Sequence, residues 1–346
     1  MFKELTKPFI IAEMSGNHNQ SLERALRIVE EAAKTGVDAL KIQTYTPDTI
    51  TIDSDRDEFK INDKNSLWSG ETLYSLYSKA YTPWDWDKAI FDKCKEMGII
   101  GFSTPFDFSA VDFLEKINVP FYKIASFENY DLPLLKYIAK TKKSVIISTG
   151  MIKLEELKES VQILKENGCP EIILLKCTST YPANSKDTNL LTIRDMQNQF
   201  PECVIGLSDH TMGTAVSVAG IALGAKVIEK HFTISRAEGG VDSAFSMEPS
   251  EMMELVSDAN ITYQSLGNVF YGPTSAEIPS LKFRRSLYAI KNIKKGELFT
   301  SENIRSIRPA IGLSTKYYEK IINKKASVDI YRGTPLKEEM IDGMIN

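Results

Sequence analysis

The chain has 346 residues, the length of about two ordinary domains. Hydrophobic residues make up 42% and charged residues 25%, proportions that exclude a disordered, collagen-like or membrane-embedded chain. The net charge is −4 with no basic block, which argues against a nucleic-acid surface. No segment approaches the ~20 apolar residues of a membrane span. The 4 cysteines form no CxxC pair, so we expect reduced thiols and a cytoplasmic location.

Short apolar runs alternate with helix-length segments, which is typical of repeated βα units around a parallel sheet. Amphipathic spacing predicts helices over Leu22–Lys34, Trp86–Met97, Leu132–Lys140, Leu154–Glu166 and Met252–Leu266. The apolar runs that predict strands are Phe9–Glu13, Ala39–Gln43, Ile99–Ser103, Phe121–Ala125, Ser144–Ser148, Glu171–Cys177, Cys203–Leu207 and Lys226–His231.

This pattern matches the ~250 residues of a TIM (β/α)8 barrel, with a doubly wound open sheet as the alternative. The long connection from Thr44 to about Pro83 exceeds a normal βα loop and predicts a lid or a substrate-binding excursion. A break rich in Gly and Pro follows the last helix, and the rest of the chain predicts a small β-rich domain. We therefore expect a catalytic α/β barrel over residues 1–267, a linker over 268–282 and the small domain over 283–346.

Polar residues collect at the C-terminal ends of the predicted strands, where TIM barrels carry their chemistry. The two-residue period of a strand places Lys41 with Gln43, and Glu229 with His231, on shared faces. Lys230 falls on the opposite face and is interpreted as a structural or surface lysine. The polar residues at the other strand ends are Glu13, Ser103, Thr104, Lys123, Ser126, Ser148, Ser179, Tyr181, Ser208 and His210.

Two of the 3 histidines, His210 and His231, end neighbouring predicted strands. Imidazoles placed in this way can bind one divalent metal ion, with Glu13 or Asp242 completing the ligand set. Two unrelated polar histidines are the alternative. The third, His18, is interpreted either as a loop residue that bonds the backbone or as a substrate contact.

Lys41 and Lys123 project from barrel strands, where an unpaired ammonium carries a large burial cost. They bind a small anion, or one of them forms a Schiff base with a carbonyl substrate. Salt bridges to Glu13 and Glu229 are the structural alternative. The serine and threonine hydroxyls nearby, with Gly150 allowing close backbone approach, favour a phosphate or carboxylate ligand.

The candidate residues lie within longer motifs of the predicted barrel, which are Ile11-Ala-Glu-Met-Ser-Gly-Asn-His-Asn19, Lys41-Ile-Gln43, Phe102-Ser-Thr-Pro-Phe-Asp107, Tyr122-Lys-Ile-Ala-Ser126, Ile147-Ser-Thr-Gly-Met151, Cys177-Thr-Ser-Thr-Tyr-Pro182, Gly206-Leu-Ser-Asp-His210 and Ile228-Glu-Lys-His231. The tail carries Arg284-Arg-Ser-Leu287 and Arg308-Pro309. Together these motifs, which extend along essentially the whole chain, resemble the sialic-acid synthase family, which condenses phosphoenolpyruvate with an amino sugar. The tail is similar to that family's antifreeze-like (SAF) domain.

The resemblance implies a role for each of these residues. His210 and His231 would hold manganese, cobalt or magnesium, and Glu13 or Glu229 would act on the attacking water. A homodimer with swapped C-terminal domains would bring Arg308 into the partner's barrel. Gln43, Tyr181 and Asp242 would contact the sugar. The phosphoenolpyruvate ligands would be Lys41, Ser103, Thr104, Lys123, Ser126, Ser148, Ser179, Ser208 and Arg308, although Ser179 stands where the family often has asparagine.

Within the family, Glu13–Gln20 and Ala80–Trp86 resemble the pseudaminic acid synthases most closely. The aromatic stretches Leu73–Tyr77 and Tyr81–Trp86, with Met14, predict apolar walls that favour a 6-deoxy, 2,4-diacetamido hexose over N-acetylmannosamine. N-acetylneuraminate and legionaminic acid synthases are the near alternatives. A Schiff-base aldolase that uses Lys123 is a more distant one, and a sugar-binding protein on a decayed barrel is the non-enzymatic one.

Overall fold

The structure, a computed structural model, describes residues 1–63 and 66–344. The chain divides into two compact units, Met1–Gly267 and Asn268–Asn346. In the part of the chain that is described, no helix is both long enough and apolar enough to cross a membrane.

The first unit is a closed barrel of parallel strands in chain order, because the first strand pairs with both the second and the eighth. The predicted barrel is therefore confirmed and the open sheet is excluded. The strands are β1 (Phe9–Glu13), β2 (Ala39–Thr44), β3 (Ile100–Pro105), β4 (Phe121–Ile124), β5 (Ser144–Ser148), β6 (Ile172–Cys177), β7 (Val204–Ser208) and β8 (Val227–His231).

Helices cover the outside of the barrel. Several begin at a side chain that accepts a hydrogen bond from the first helical turn, as Ser21, Asp107 and Asp131 do. The helices of this unit are α1 (Leu22–Lys34), α2 (Pro47–Ile50), α3 (Leu73–Ala80), α4 (Trp84–Glu96), α5 (Phe108–Lys116), α6 (Leu132–Ala139), α7 (Leu154–Glu166), α8 (Thr192–Gln199), α9 (Ala215–Ala222) and α10 (Pro249–Leu266).

The barrel interior changes from apolar to polar along its axis. At the N-terminal end, Phe2 packs edge-on against Phe9 and Phe121, with ring centroids 5.3 and 5.1 Å apart. Further along β1, the inward side of the strand passes from Ile11, which packs in this apolar layer, to Glu13. Because side chains alternate along a strand, the same faces that hold the core carry the polar groups at the C-terminal end.

The long connection between β2 and α4 is here called the lid segment (residues 45–63 and 66–83). It includes α2, α3 and a short 3-10 turn. The indole Nε1 of Trp68 donates to the carbonyl of Val241, 3.1 Å away in the loop after β8. The side-chain amide of Gln20 donates hydrogen bonds to the carbonyls of Lys79 and Tyr81. The lid segment is thus anchored to the loops after β1 and β8, both at the C-terminal end of the barrel.

The second unit contains an antiparallel pair of strands, β9 (Ser286–Ala289) and β10 (Ile304–Ile307), and the short helix α11 (Tyr318–Ile321). Isolated antiparallel bridges such as Ile293 with Ile330 extend this pattern. A core of its own includes Leu287, Phe299, Ile304, Ile321 and Leu336. This unit is the small β-rich region that the sequence predicts.

Candidate functional site

A chain of buried charges spans the C-terminal end of the barrel. The Lys41 ammonium lies 3.0 Å from Glu13 Oε2 and 3.5 Å from Glu229 Oε1, and Lys123 lies 3.1 Å from the same Glu229 oxygen. None of these four side chains is more than 4% exposed. Thr104 accepts a hydrogen bond from Lys41, and Ser208 donates to Glu229. The structure therefore brings together β1, β2, β3, β4, β7 and β8 as predicted.

The surroundings shift the pKa values of the two glutamates in opposite directions. Burial raises the pKa of Glu13, and the nearby Glu229 adds to this although Lys41 opposes it. Burial acts in the same direction on Glu229, but Lys123 and Lys41 outweigh it and lower the pKa of Glu229 to about 2. Glu229 is thus the ionised partner of the two lysines, and of the two carboxyls Glu13 is the one whose environment favours the protonated form.

Several polar atoms of this cluster have unused hydrogen-bonding capacity. Glu229 Oε2, Ser148 Oγ and His231 Nδ1 are buried and make no hydrogen bond. Glu13 Oε2 meets the Lys41 ammonium but accepts no aligned hydrogen bond. Because buried polar groups are normally satisfied, such a concentration of free atoms is typical of a site that receives a polar ligand.

A group of hydroxyls borders the charges on the side of β4 to β6. The Gly150 amide donates to Ser126 Oγ over 3.1 Å. A Cβ at residue 150 would lie 2.1 Å from Ser179 Oγ and 2.6 Å from Ser126 Oγ, so glycine is required for these hydroxyls to converge. Ser148 Oγ, at the end of the intervening strand β5, remains unbonded. The arrangement can surround a small anion with hydroxyl and amide donors.

Ser103 does not join this group. Its hydroxyl lies 2.6 Å from Thr44 Oγ1 and donates to the carbonyl of Ile42, while Thr44 donates to the buried Asp87 of α4. The alternation along β3 turns Thr104 inward and Ser103 outward, towards the helices. Ser103 therefore belongs to a polar network in the outer layer, and this placement argues against the expected phosphoenolpyruvate contact at Ser103.

His210 and His231 end β7 and β8 with ring centroids 5.3 Å apart. His210 Nδ1 lies 3.0 Å from the carbonyl of Thr178, which makes Nδ1 the donor, so in the neutral ring Nε2 carries the lone pair that can bind a metal ion. His231 Nδ1 is buried without a hydrogen bond, and Asp242 Oδ2 is 3.7 Å away. Among the described residues, no three His, Cys, Asp or Glu side chains are arranged as a complete metal site. The imidazole pair can supply two nitrogen ligands to a divalent ion, and the remaining ligands would have to come from substrate or water.

Aromatic side chains border the histidines. The Tyr181 ring lies 4.6 Å from that of His210, and Phe245 lies 4.9 Å from His231. Trp68 of the lid segment contacts Tyr181, with ring centroids 6.0 Å apart. The predicted sugar contacts are also here, since Gln43 donates to Glu13 Oε1 over 2.8 Å and Asp242 lies beside His231.

His18 has a structural environment. It is fully buried, and its Nδ1 accepts a hydrogen bond from the backbone N–H of Gln20. Its Nε2 lies 3.2 Å from Thr82 Oγ1 at the end of the lid segment. Burial lowers the pKa of His18 to about 4, so the ring is neutral. Both nitrogens have protein partners, which supports the interpretation as a loop residue over a substrate contact.

Comparison with known proteins places this arrangement in a family. The model of the NeuB family matches residues 28–271, and that of the SAF domain matches residues 284–342. The chain belongs to the NeuB family. Pseudaminic acid synthase of Campylobacter jejuni is 44% identical over 332 residues, with 96% of each chain covered. Pseudaminic acid synthase of Helicobacter pylori is 38% identical over 340 residues, covering 98% of this chain and 99% of that protein.

A solved structure agrees with the barrel. The N-acetylneuraminic acid (sialic acid) synthetase of Leptospira borgpetersenii is 31% identical with a TM-score of 0.71, covering 81% of this chain and 92% of that chain. The expected family and the expected order, a TIM barrel followed by a SAF domain, are confirmed for this NeuB-family chain. Arg308 lies in the SAF domain, exposed and, among the described residues, without a hydrogen bond or ion pair.

Two residues of this NeuB-family site escaped the sequence interpretation. Burial raises the pKa of Glu128 to about 7, although the positive charge of Lys123 acts to lower it. Glu128 Oε2 has no hydrogen-bond partner. Its position just past β4 is the signal that could have marked it. Trp68 lies in the middle of the long connection, and nothing in the local sequence indicates that it reaches Tyr181.

Proposed function

We propose that this chain condenses phosphoenolpyruvate with 2,4-diacetamido-2,4,6-trideoxy-L-altrose and water to give pseudaminic acid and phosphate. The observation that carries the proposal is the buried cluster of Lys41, Lys123, Glu13 and Glu229 beside the paired histidines. It is supported by the two relatives named pseudaminic acid synthase, which match nearly the whole chain.

Phosphoenolpyruvate would bind between the two lysines and the hydroxyl group. Its carboxylate and phosphate carry several negative charges, and Lys41 and Lys123 are the buried cations able to meet them. Entry of this anion would let the ammonium groups shift from Glu229 towards the ligand. The hydroxyls expected to complete the binding site are those of Thr104, Ser126, Ser148, Ser179 and Ser208.

The open-chain sugar would lie against Tyr181, with Gln43 and Asp242 as polar contacts. A divalent ion on His210 and His231 would supply Lewis-acid polarisation of the aldehyde oxygen. Manganese, cobalt or magnesium suits such a site. The role of the protein is to hold the aldehyde carbon next to the methylene carbon of phosphoenolpyruvate and to keep bulk water away.

Glu13 is the proposed proton carrier. When the enol methylene bonds to the aldehyde carbon, the aldehyde oxygen takes the proton that Glu13 holds, and positive charge develops at the enolic carbon. Water adds to that carbon and returns a proton to Glu13. The tetrahedral intermediate then loses phosphate by carbon–oxygen cleavage, which leaves the keto acid. The low pKa of Glu229 makes it a poor base, so we assign it the part of counter-ion to the lysines.

Phosphate release from phosphoenolpyruvate tests the reaction, with a panel of amino sugars and a divalent metal present. We expect a kcat/KM for the diacetamido-trideoxy sugar about 10–200-fold above that for N-acetylmannosamine. A preference for N-acetylmannosamine would indicate an N-acetylneuraminate synthase. A preference for the amino-sugar precursor of legionaminic acid would indicate a legionaminic acid synthase. Full turnover after exhaustive chelation would contradict the metal assignment.

A Schiff-base aldolase is the second candidate because burial lowers the pKa of Lys123, which favours a reactive amine. Borohydride reduction in the presence of pyruvate discriminates between the two. A covalent adduct on Lys123 would support the aldolase. Phosphate release without any adduct supports the condensation.

The partner arrangement is part of the proposal. We infer a homodimer in which the SAF domain of one subunit supplies Arg308 to the anion site of the other. The support is chemical. The negative charge of Glu229 already offsets part of the positive charge of Lys41 and Lys123, so a multiply charged anion needs a further cation. Arg308 has no protein partner among the described residues. We place the enzyme in the cytoplasm because its 4 cysteines are free thiols, as is usual for proteins of a reducing compartment.

A further inference from the structure

A buried ion pair lies on the outer side of β7 and β8, behind the histidines. Lys230 is 1% exposed, and its ammonium donates to Asp209 Oδ2 at 3.0 Å, to the carbonyl of Thr211 at 2.6 Å and to the carbonyl of Gly213 at 3.0 Å. All three ammonium protons are used. Lys230 therefore faces away from the site, as its strand position predicts, and is structural.

Asp209 is equally saturated. Its Oδ1 accepts from the amide and the hydroxyl of Thr211 at 2.9 and 2.8 Å, and its Oδ2 accepts from Ser217 at 2.7 Å as well as from Lys230. Glu229, one strand position before Lys230, keeps an oxygen without a hydrogen bond. A carboxylate whose acceptor positions are filled has no capacity for a ligand, so Asp209 acts on the protein around it.

The position of the pair in the chain shows which groups it affects. Asp209 directly precedes His210, and Lys230 directly precedes His231. The Asp209 amide also donates to the carbonyl of Glu229, so the two strand ends are joined by a backbone hydrogen bond as well as by the ion pair. His231 Nδ1 has no hydrogen bond, and its orientation depends on where its backbone is held.

We propose that the Asp209–Lys230 ion pair positions His210 and His231 for metal binding. Each member faces outward, so its neighbour on the strand faces inward, and the bond between them fixes the separation of the two imidazoles. The inference rests on the metal part of the proposed function. A solely structural role would change stability without changing metal affinity.

The test uses the full chain and Mn²⁺ alone, titrated while the electron paramagnetic resonance signal of free Mn²⁺ is recorded. The double variant D209N/K230M removes both charges and leaves no unpaired ion behind. Its Mn²⁺ dissociation constant should rise about 10–100-fold, as for other residues that orient metal ligands. The matched control is Lys143→Met, which loses the ion pair to Glu115 at the opposite end of the barrel and should bind Mn²⁺ like the wild type.

Thr211→Val is a milder variant that keeps the ion pair and removes one hydroxyl bond to Asp209. It should weaken Mn²⁺ binding about two- to tenfold, which is the contribution of one hydrogen bond. If the double variant does not fold, the Mn²⁺ dissociation constant of Thr211→Val tests the positioning role on its own. Wild-type affinity in the folded variants would overturn the positioning role alone. A wild-type chain that binds no Mn²⁺ would overturn the metal assignment and the positioning role with it.

Discussion

Replacing Glu229 by glutamine tests whether the buried charges are a ligand site or an internal salt-bridge network. Glu229 is the shared counter-ion of Lys41 and Lys123, at 3.5 and 3.1 Å. Glutamine keeps the volume of the side chain and removes its charge. The two ammonium groups then lack a full counter-ion in a region closed to water, and the free energy of unfolding should fall.

The size of this effect follows from the pKa of Glu229, which is about 2 in the folded chain against an ordinary 4.5. The difference corresponds to about 3 kcal/mol. Because the pKa is lowered on folding, this stabilisation is present above about pH 4.5 and is lost as the pH falls towards 2. At pH 7.5 the full loss should be seen as a decrease in Tm of roughly 2–4 °C for each kcal/mol.

Thermal unfolding with and without phosphoenolpyruvate is the decisive assay. If the lysines form an anion site, the ligand's negative charge replaces the missing carboxylate. Phosphoenolpyruvate should then stabilise E229Q by about 1–3 kcal/mol more than it stabilises the wild type. Glu115→Gln serves as the control, because Glu115 pairs with Lys143 away from the site. Equal stabilisation of the wild type and E229Q would refute the anion-site reasoning.

Three further predictions concern the outer layer, the lid segment and the SAF domain. Burial raises the pKa of Asp87 from 3.8 to about 8. The free energy of unfolding of the wild type should therefore decline by about 1.4 kcal/mol per pH unit between those values. Asp87→Asn should remove this slope in unfolding curves measured at pH 4–8. Trp68→Ala should raise the KM for the sugar about 10-fold or more with the KM for phosphoenolpyruvate unchanged; Trp84→Ala, which alters a ring packed on Phe113, should not reproduce that split. Arg308→Ala should raise the KM for phosphoenolpyruvate by at least 10-fold with Tm unchanged, whereas the exposed Arg305→Ala should leave that KM as it is.

Much of the barrel could be predicted because its strands are buried on both faces and alternate with helix-length segments. The alternation of side chains placed Lys41 with Gln43, and Glu229 with His231, on shared strand faces from sequence alone. The strand β3 shows where this reasoning fails. Ser103 and Thr104 are adjacent hydroxyls at a strand end, and only the three-dimensional register shows that Thr104 meets Lys41 and Ser103 meets Thr44.

The remaining site residues depend on contacts between distant parts of the chain. Glu128 follows Ser126 in a loop, and its raised pKa arises from burial that no local pattern reports. Trp68 joins the site through Tyr181 and Val241, more than a hundred residues away in the chain. The pairing of Asp209 with Lys230 likewise requires β7 and β8 to be neighbours, which the barrel order establishes.

The lid segment contacts the barrel through a few identifiable bonds, and this has a consequence for engineering. Gln20 and His18 hold one end of it, and Trp68 reaches the loop after β8. The lysines and glutamates of the cluster bond with one another and with barrel-strand residues. A library of variants confined to residues 66–78 should therefore explore new acceptor sugars while leaving the donor half of the reaction intact, so that selection can act on one substrate at a time.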